Sequence, residues 1–201
     1  MHNHDMSEMQ SYKNSDANKK PQVEPLEPWL RGPLAGFSSF TMPAAHALTQ
    51  SRENLEAHVS VLTTAQVWSE PGGAPSVGFH LRHIAGSIDR LLSYTLGRSL
   101  TVEQFRFLAA ERNPGEPPAA AEPLISAAQS KIDEVLQLIR STPDERLFEP
   151  RTVGRAQLPS SVFGLLFHIA EHTQRHTGQI IATARIVRGI TSSIQSEDWE
   201  R

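Results

Sequence analysis

The chain has 201 residues, 19 of them basic and 22 acidic, for a formal net charge of −3. That length suffices for a domain with a real core, and the charge balance gives no electrostatic attraction for nucleic acid or an anionic membrane. Cysteine is absent, which excludes disulfides, thiolate metal sites and a cysteine nucleophile, and no apolar run approaches the roughly 18–20 residues of a membrane span.

The N-terminal stretch carries no apolar signal-peptide segment, so the expectation is a soluble, cytoplasmic protein. Residues 1–28 are polar and nearly free of large apolar groups. They read as a disordered tail, with His2 and His4 solvated in it, and leave 29–195 as a single helical domain. Residues 29–41, "WLRGPLAGFSSFT", read as an irregular lead-in that pins aromatics onto the body.

Four helical patterns follow. The first spans about 43–67, with Leu48, Leu55, Val59 and Leu62 at helical spacing. Trp68 and the turn "SEPGGAPS" end it. The second spans about 76–96, with Ser76 as N-cap, Gly97 as stop and a stripe of Val77, Leu81, Ile84, Ile88 and Leu91. The connection 97–121 holds a short helix at "TVEQFRFLAAE" before a Pro-rich segment. The third helix, about 122–141, carries Leu124, Ile125, Ala128, Ile132, Val135, Leu136 and Ile139. The fourth spans about 160–188, opened by Ser160 or Ser161 and stopped by Gly189. No stretch alternates well enough to predict a strand.

These patterns predict an all-α four-helix bundle. A short turn joins helices 1 and 2, which are expected to be antiparallel neighbours. The connection between helices 2 and 3 is long enough, at about 3.3 Å per extended residue, to permit a crossover with those two helices parallel.

The segment "HIAEHTQRHTGQI" places His168, His172 and His176 four residues apart, in one row of a helix. On a helical wheel centred on Ile169, His172 and His176 fall within about 60° of the apolar stripe and His168 about 100° away. Two imidazoles in a core stripe need a partner, since an unpaired buried polar group costs a few kcal/mol. The second helix offers one. Centred on Ile84, His80 falls at about −40° and His83 at about −100°, so periodicity alone sends His80 inward and leaves His83 at the rim. Imidazoles converging from two helices suit Zn²⁺ or a neighbouring first-row ion with a position left open. Ordinary hydrogen-bonded core histidines are the plain alternative.

"HIAEH" also matches H-x-x-E-H, with Glu171 as general base, but that reading leaves His176 unused. The H-E-x-x-H pattern is absent because Thr173 follows His172. Glu-x-x-His pairs, a G-x-S-x-G elbow and a Gly-rich phosphate loop are absent too.

"SVGFHLRHIAGSIDRLL", followed much later by "FGLLFHIAEHTQRHTGQI", resembles the DinB/YfiT-like superfamily of metal-binding four-helix proteins over about residues 42–189. "EHTQRHTGQI" is similar to that family's EH-x-x-x-H-x-GQ helix, and "RHIAGSIDRLL" to its second-helix H-[LIV]-A segment. The resemblance implies the crossover topology and one divalent ion (Zn, Ni, Fe or Mn) on His83, His172 and His176, against the wheel's preference for His80. His80 and His168 then become neighbours of the site, and Gln179 a structural residue. Implied activities are a metal-dependent hydrolase or a low-molecular-weight-thiol S-transferase acting on a small-molecule substrate. The opposing expectation is a non-catalytic, metal-stabilised scaffold or dimerisation module, with Trp29, Phe37 and Phe40 supporting a homodimer.

Overall fold

The computed structural model describes residues 26–197, with side chains to Thr191. Apart from 26–28, the expected N-terminal tail with His2 and His4 lies outside the described residues. Four long helices make the body: α1 (Met42–Val59), α3 (Val77–Thr95), α5 (Ala121–Ser141) and α6 (Val162–Glu197). Two short ones, α2 (Thr64–Val67) and α4 (Val102–Ala110), and a hairpin of β1 (Pro150–Val153) and β2 (Leu158–Ser161) fill the connections. Among the described residues no helix is long and apolar enough to cross a membrane.

Local chemistry explains most boundaries. Ser76 caps α3 by accepting a hydrogen bond from the Phe79 amide, and Gly97, at φ +69°, ends that helix. Ser161 opens α6 by accepting from the Gly164 amide. The first predicted helix is two. Thr63 and Gln66 form a reciprocal capping box that restarts the chain as α2, so the helix breaks after Val59. Gly189 does not stop α6, which runs on to Glu197, because a helical glycine costs only about 1 kcal/mol. The hairpin escaped prediction because its strands are four residues long and carry Pro150 and Pro159. Its register pairs Pro150 with Ser161 and Val153 with Leu158.

The stripes read from the sequence build the core. Leu48, Leu55, Leu81, Ile84, Ile88, Ile132, Ile139, Leu166, Ile169 and Ile180 are all fully buried. α1 packs on α5 and α6, and so does α3. α1 and α3 therefore face each other across the diagonal and are not neighbours, though they run antiparallel as expected. The connection between them, containing α2 and the turn Pro71–Gly73, is long enough to cross the end of the bundle.

The helix directions follow from side-chain pairs. Arg52 meets Asp133 at 2.9 Å and Gln129 bonds the Arg52 carbonyl, with Glu56 also in reach, so α1 and α5 are antiparallel. Gln174 bonds the Ala47 carbonyl and Gln66 bonds Thr191, so α1 and α6 run together. The Trp68 indole lies against Gly78 in the first turn of α3 and donates to the Ala119 carbonyl just before α5. Further along, Asp89 pairs with Lys131 at 2.7 Å. α3 and α5 are therefore parallel, and 96–120 is the long crossover. It carries α4 against the outer face of α3, tethered by Gln104 to Asp89 and Ser93.

Candidate metal centre

α3 and α6 run antiparallel, and one turn of α3 meets two turns of α6. His83 Nε2 lies 2.9 Å from His172 Nε2, and His80 Nδ1 lies 3.0 Å from His176 Nδ1. The His176 ring sits 4.4 Å from His83 and 4.5 Å from His172, centroid to centroid. His83, His172 and His176 each offer one nitrogen within 4.8 Å of the other two.

Electrostatics keep three of the rings, His80, His172 and His176, neutral. Burial first, and repulsion between neighbouring imidazolium charges second, push His80 and His172 down to about 4. The same two causes, with a contribution from the Arg175 charge, push His176 down to about 4. At neutral pH each of these three rings then keeps a nitrogen lone pair, the form that ligates metals.

The hydrogen bonds say which nitrogen is free. His83 Nδ1 donates to Glu111 Oε2 at 2.8 Å, because a carboxylate can only accept. In the neutral ring Nε2 of His83 is then the lone pair, and the proton in its contact with His172 sits on His172 Nε2. His172 Nδ1 is buried with no partner among the described residues. Two inward nitrogens thus share one proton. On tetrahedral Zn²⁺, at about 2.0–2.1 Å per nitrogen, two ligands lie about 3.3–3.4 Å apart, so the two Nε2 atoms at 2.9 Å need to part by a few tenths of an ångström to take one ion. The donor chemistry fits a small divalent cation.

The DinB superfamily model matches residues 47–180, a span that holds α3, α4, α5 and all three histidines. The chain belongs to the DinB superfamily. A solved structure is similar: YfiT from Bacillus subtilis, described as "a probable metal-dependent hydrolase with an unusual four-helix bundle topology". It is 16% identical, with a TM-score of 0.59, over 77% of this chain and 91% of that one. The likeness is one of fold. No curated protein matches the chain.

Within this DinB fold the histidines named from the sequence fall into two groups. His83, His172 and His176 come together, with His80 behind His176. His168 is exposed and stacks on His172 at 5.4 Å. Glu171 turns to Arg175, which donates to it at 2.9 and 2.6 Å, and Arg175 accordingly holds its carboxyl below the usual range. The H-x-x-E-H arrangement is not assembled. Gln179 is exposed but its side chain hydrogen-bonds His176. His46 instead contacts the Gly32 carbonyl.

The wheel is right about α3, where His80 is 3% exposed and the His83 side chain 19%. On α6 it is right about the apolar residues, with Leu166, Ile169 and Ile180 buried, and wrong about the two histidines. Thr173 and Thr177 are interior in their place, and His172 and His176 stand half-buried at the edge of the cleft. The cluster therefore lies where solvent reaches it rather than in the core. Sequence reasoning missed Glu111, Arg90 and Phe79. Arg90 donates to Glu111 Oε1 at 2.9 Å, Phe79 stacks on His83 at 5.6 Å, and the Arg112 guanidinium lies over the Phe79 ring at 4.6 Å. Glu111 ends the predicted short helix, but no local pattern says that this helix folds back onto α3.

Proposed function

We propose that this DinB-superfamily protein is a metal-dependent hydrolase in which His83, His172 and His176 hold one divalent ion, Zn, Ni, Fe or Mn, with a position open to a small-molecule substrate. The observation that carries this reading is the convergence of three imidazoles from two helices, beside a buried carboxylate that fixes one of them. The similarity to a protein described as a probable metal-dependent hydrolase supports it.

A bound ion of this class supplies Lewis acidity, lowering the pKa of a coordinated water or taking a thiol as thiolate. The chain supplies the rest. Glu111 keeps the His83 proton on Nδ1. His80 accepts the proton of His176 Nδ1 when His176 presents Nε2. Phe79 packs on the His83 ring and Arg112 sits over Phe79, so one side of the cleft is apolar and capped by a cation.

A second reading, thiol transfer, rests on the absence of cysteine, which requires any thiol to arrive with a substrate. One experiment separates the readings. Metal-loaded protein is screened against ester and amide substrates, and separately against a thiol plus an electrophile. Chelator-sensitive hydrolysis that disappears in His172→Ala supports the hydrolase. Turnover only with the thiol pair supports the transferase. Loss of melting temperature on chelation, with no turnover in either screen, overturns catalysis and leaves a metal-stabilised scaffold.

A further inference from the structure

Glu111 is an acid in an unusual place. It is 3% exposed, it follows a helix in which no residue is buried, and it comes from the crossover rather than from the bundle. Its two oxygens have different partners: Oε1 takes the Arg90 guanidinium at 2.9 Å and Oε2 takes His83 Nδ1 at 2.8 Å. A buried carboxylate needs a cation and hydrogen bonds to offset its desolvation, and Arg90, itself from α3, provides both. Arg90 alone would satisfy the charge, so the second oxygen is left to hold an imidazole.

The space for this arrangement is built in. A Cβ on Gly86 would lie 2.6 Å from Glu111 Oε1 and 2.7 Å from the Phe107 ring. The missing side chain at that position lets the end of α4 reach α3 at the level of His83.

We infer that Glu111 is a positioning residue of the metal centre: clamped by Arg90, it fixes the Nδ1–H tautomer of His83 and aims the Nε2 lone pair into the cleft. The inference rests on the metal-binding reading above. Carboxylates in this role set ring orientation and raise ligand basicity, and removing one lowers metal affinity by about 10–100-fold. The other two rings are held differently. His176 is braced by His80 and by the Gln179 side chain, both neutral, and His172 Nδ1 has no partner among the described residues. Glu111 is thus the one anionic brace seen on the cluster among the described residues, and His83 the ring it makes the strongest donor.

The test uses the full chain. Two-bond ¹H–¹⁵N spectra of metal-free protein are expected to show His83 as the Nδ1–H tautomer; an Nε2–H tautomer overturns the inference. Cobalt(II) is then titrated into wild type, Glu111→Gln and Glu111→Asp. The Asp variant keeps the charge beside Arg90 but is one methylene too short to hold His83, so it carries the test if the Gln variant fails to fold. The expected result is a fall in cobalt affinity of about 10–100-fold with an altered visible spectrum, while the metal-free melting temperature of Glu111→Asp stays near wild type. Equal affinity and spectra overturn the role of Glu111 alone. Wild-type protein that takes no divalent ion overturns the metal reading and the inference together.

Discussion

Gly86→Ala is the most informative single change, because it adds one methyl group and touches no charge. Ordinary contact begins at 3.4 Å, and the new Cβ would stand 2.6 Å from Glu111 Oε1. The carboxylate must retreat from α3 by about 0.8 Å, which stretches its 2.8 Å bond to His83 past the roughly 3.5 Å at which a hydrogen bond ceases to count. The atoms in the way are side-chain ends, Glu111 and the Phe107 ring, so the backbone of α3 can stay put. A lost hydrogen bond to a charged group costs about 1.5–3 kcal/mol, and alanine in place of glycine in a helix returns about 1 kcal/mol. The net loss is about 0.5–2 kcal/mol, a fall of a few degrees in melting temperature for a chain of this size. Divalent-metal affinity falls by tenfold or more. Thermal melts of metal-free protein and a cobalt titration measure both. A variant that is stabilised and binds cobalt as tightly as wild type would refute the coupling of Gly86, Glu111 and His83.

Three further outcomes are expected. His80, His172 and His176 are held at about 4 against the ordinary 6.5, so between those values the unfolded chain binds more protons than the folded one. Metal-free stability is therefore complete above pH 6.5 and drains away as pH falls towards 4; equal melting temperatures at pH 7.5 and 5 would contradict this. Glu171→Gln removes only exposed pairs with Arg175 and His168, so cobalt affinity and any hydrolytic rate should match wild type, and loss of both would revive the H-x-x-E-H reading. Ile169→Ala opens a cavity at a fully buried position of α6 and should cost about 2–5 kcal/mol in urea unfolding; a loss below 1 kcal/mol would mean the core is packed otherwise.

The four long helices were legible because each repeats large apolar groups at helical spacing over five turns or more, and because Ser76 and Ser161 carry the hydroxyls that caps require and Gly97 lacks the Cβ that would resist its left-handed stop. The three histidines were legible from spacing and from the family pattern, since periodicity alone preferred His80 over His83. What stayed hidden depends on contacts distant in sequence. The diagonal placement of α1 and α3 follows from which faces α5 and α6 cover. Glu111 lies 28 positions from His83 and meets it only because the crossover folds back over Gly86. The half-buried standing of His172 and His176 reflects a buried face turned towards Thr173 and Thr177, about 40° and 80° round the wheel from Ile169 on the side away from the two histidines.

The central claim is that His83, His172 and His176 grip one ion. Elemental analysis of purified protein, with X-ray absorption at the edge of the metal found, tests it most directly. The account predicts about one divalent ion per chain, with three imidazole nitrogens at about 2.0–2.1 Å if it is zinc, lost in His172→Ala while the helical spectrum persists. Metal-free protein that cannot be loaded, or an ion retained undiminished by His172→Ala, would contradict it.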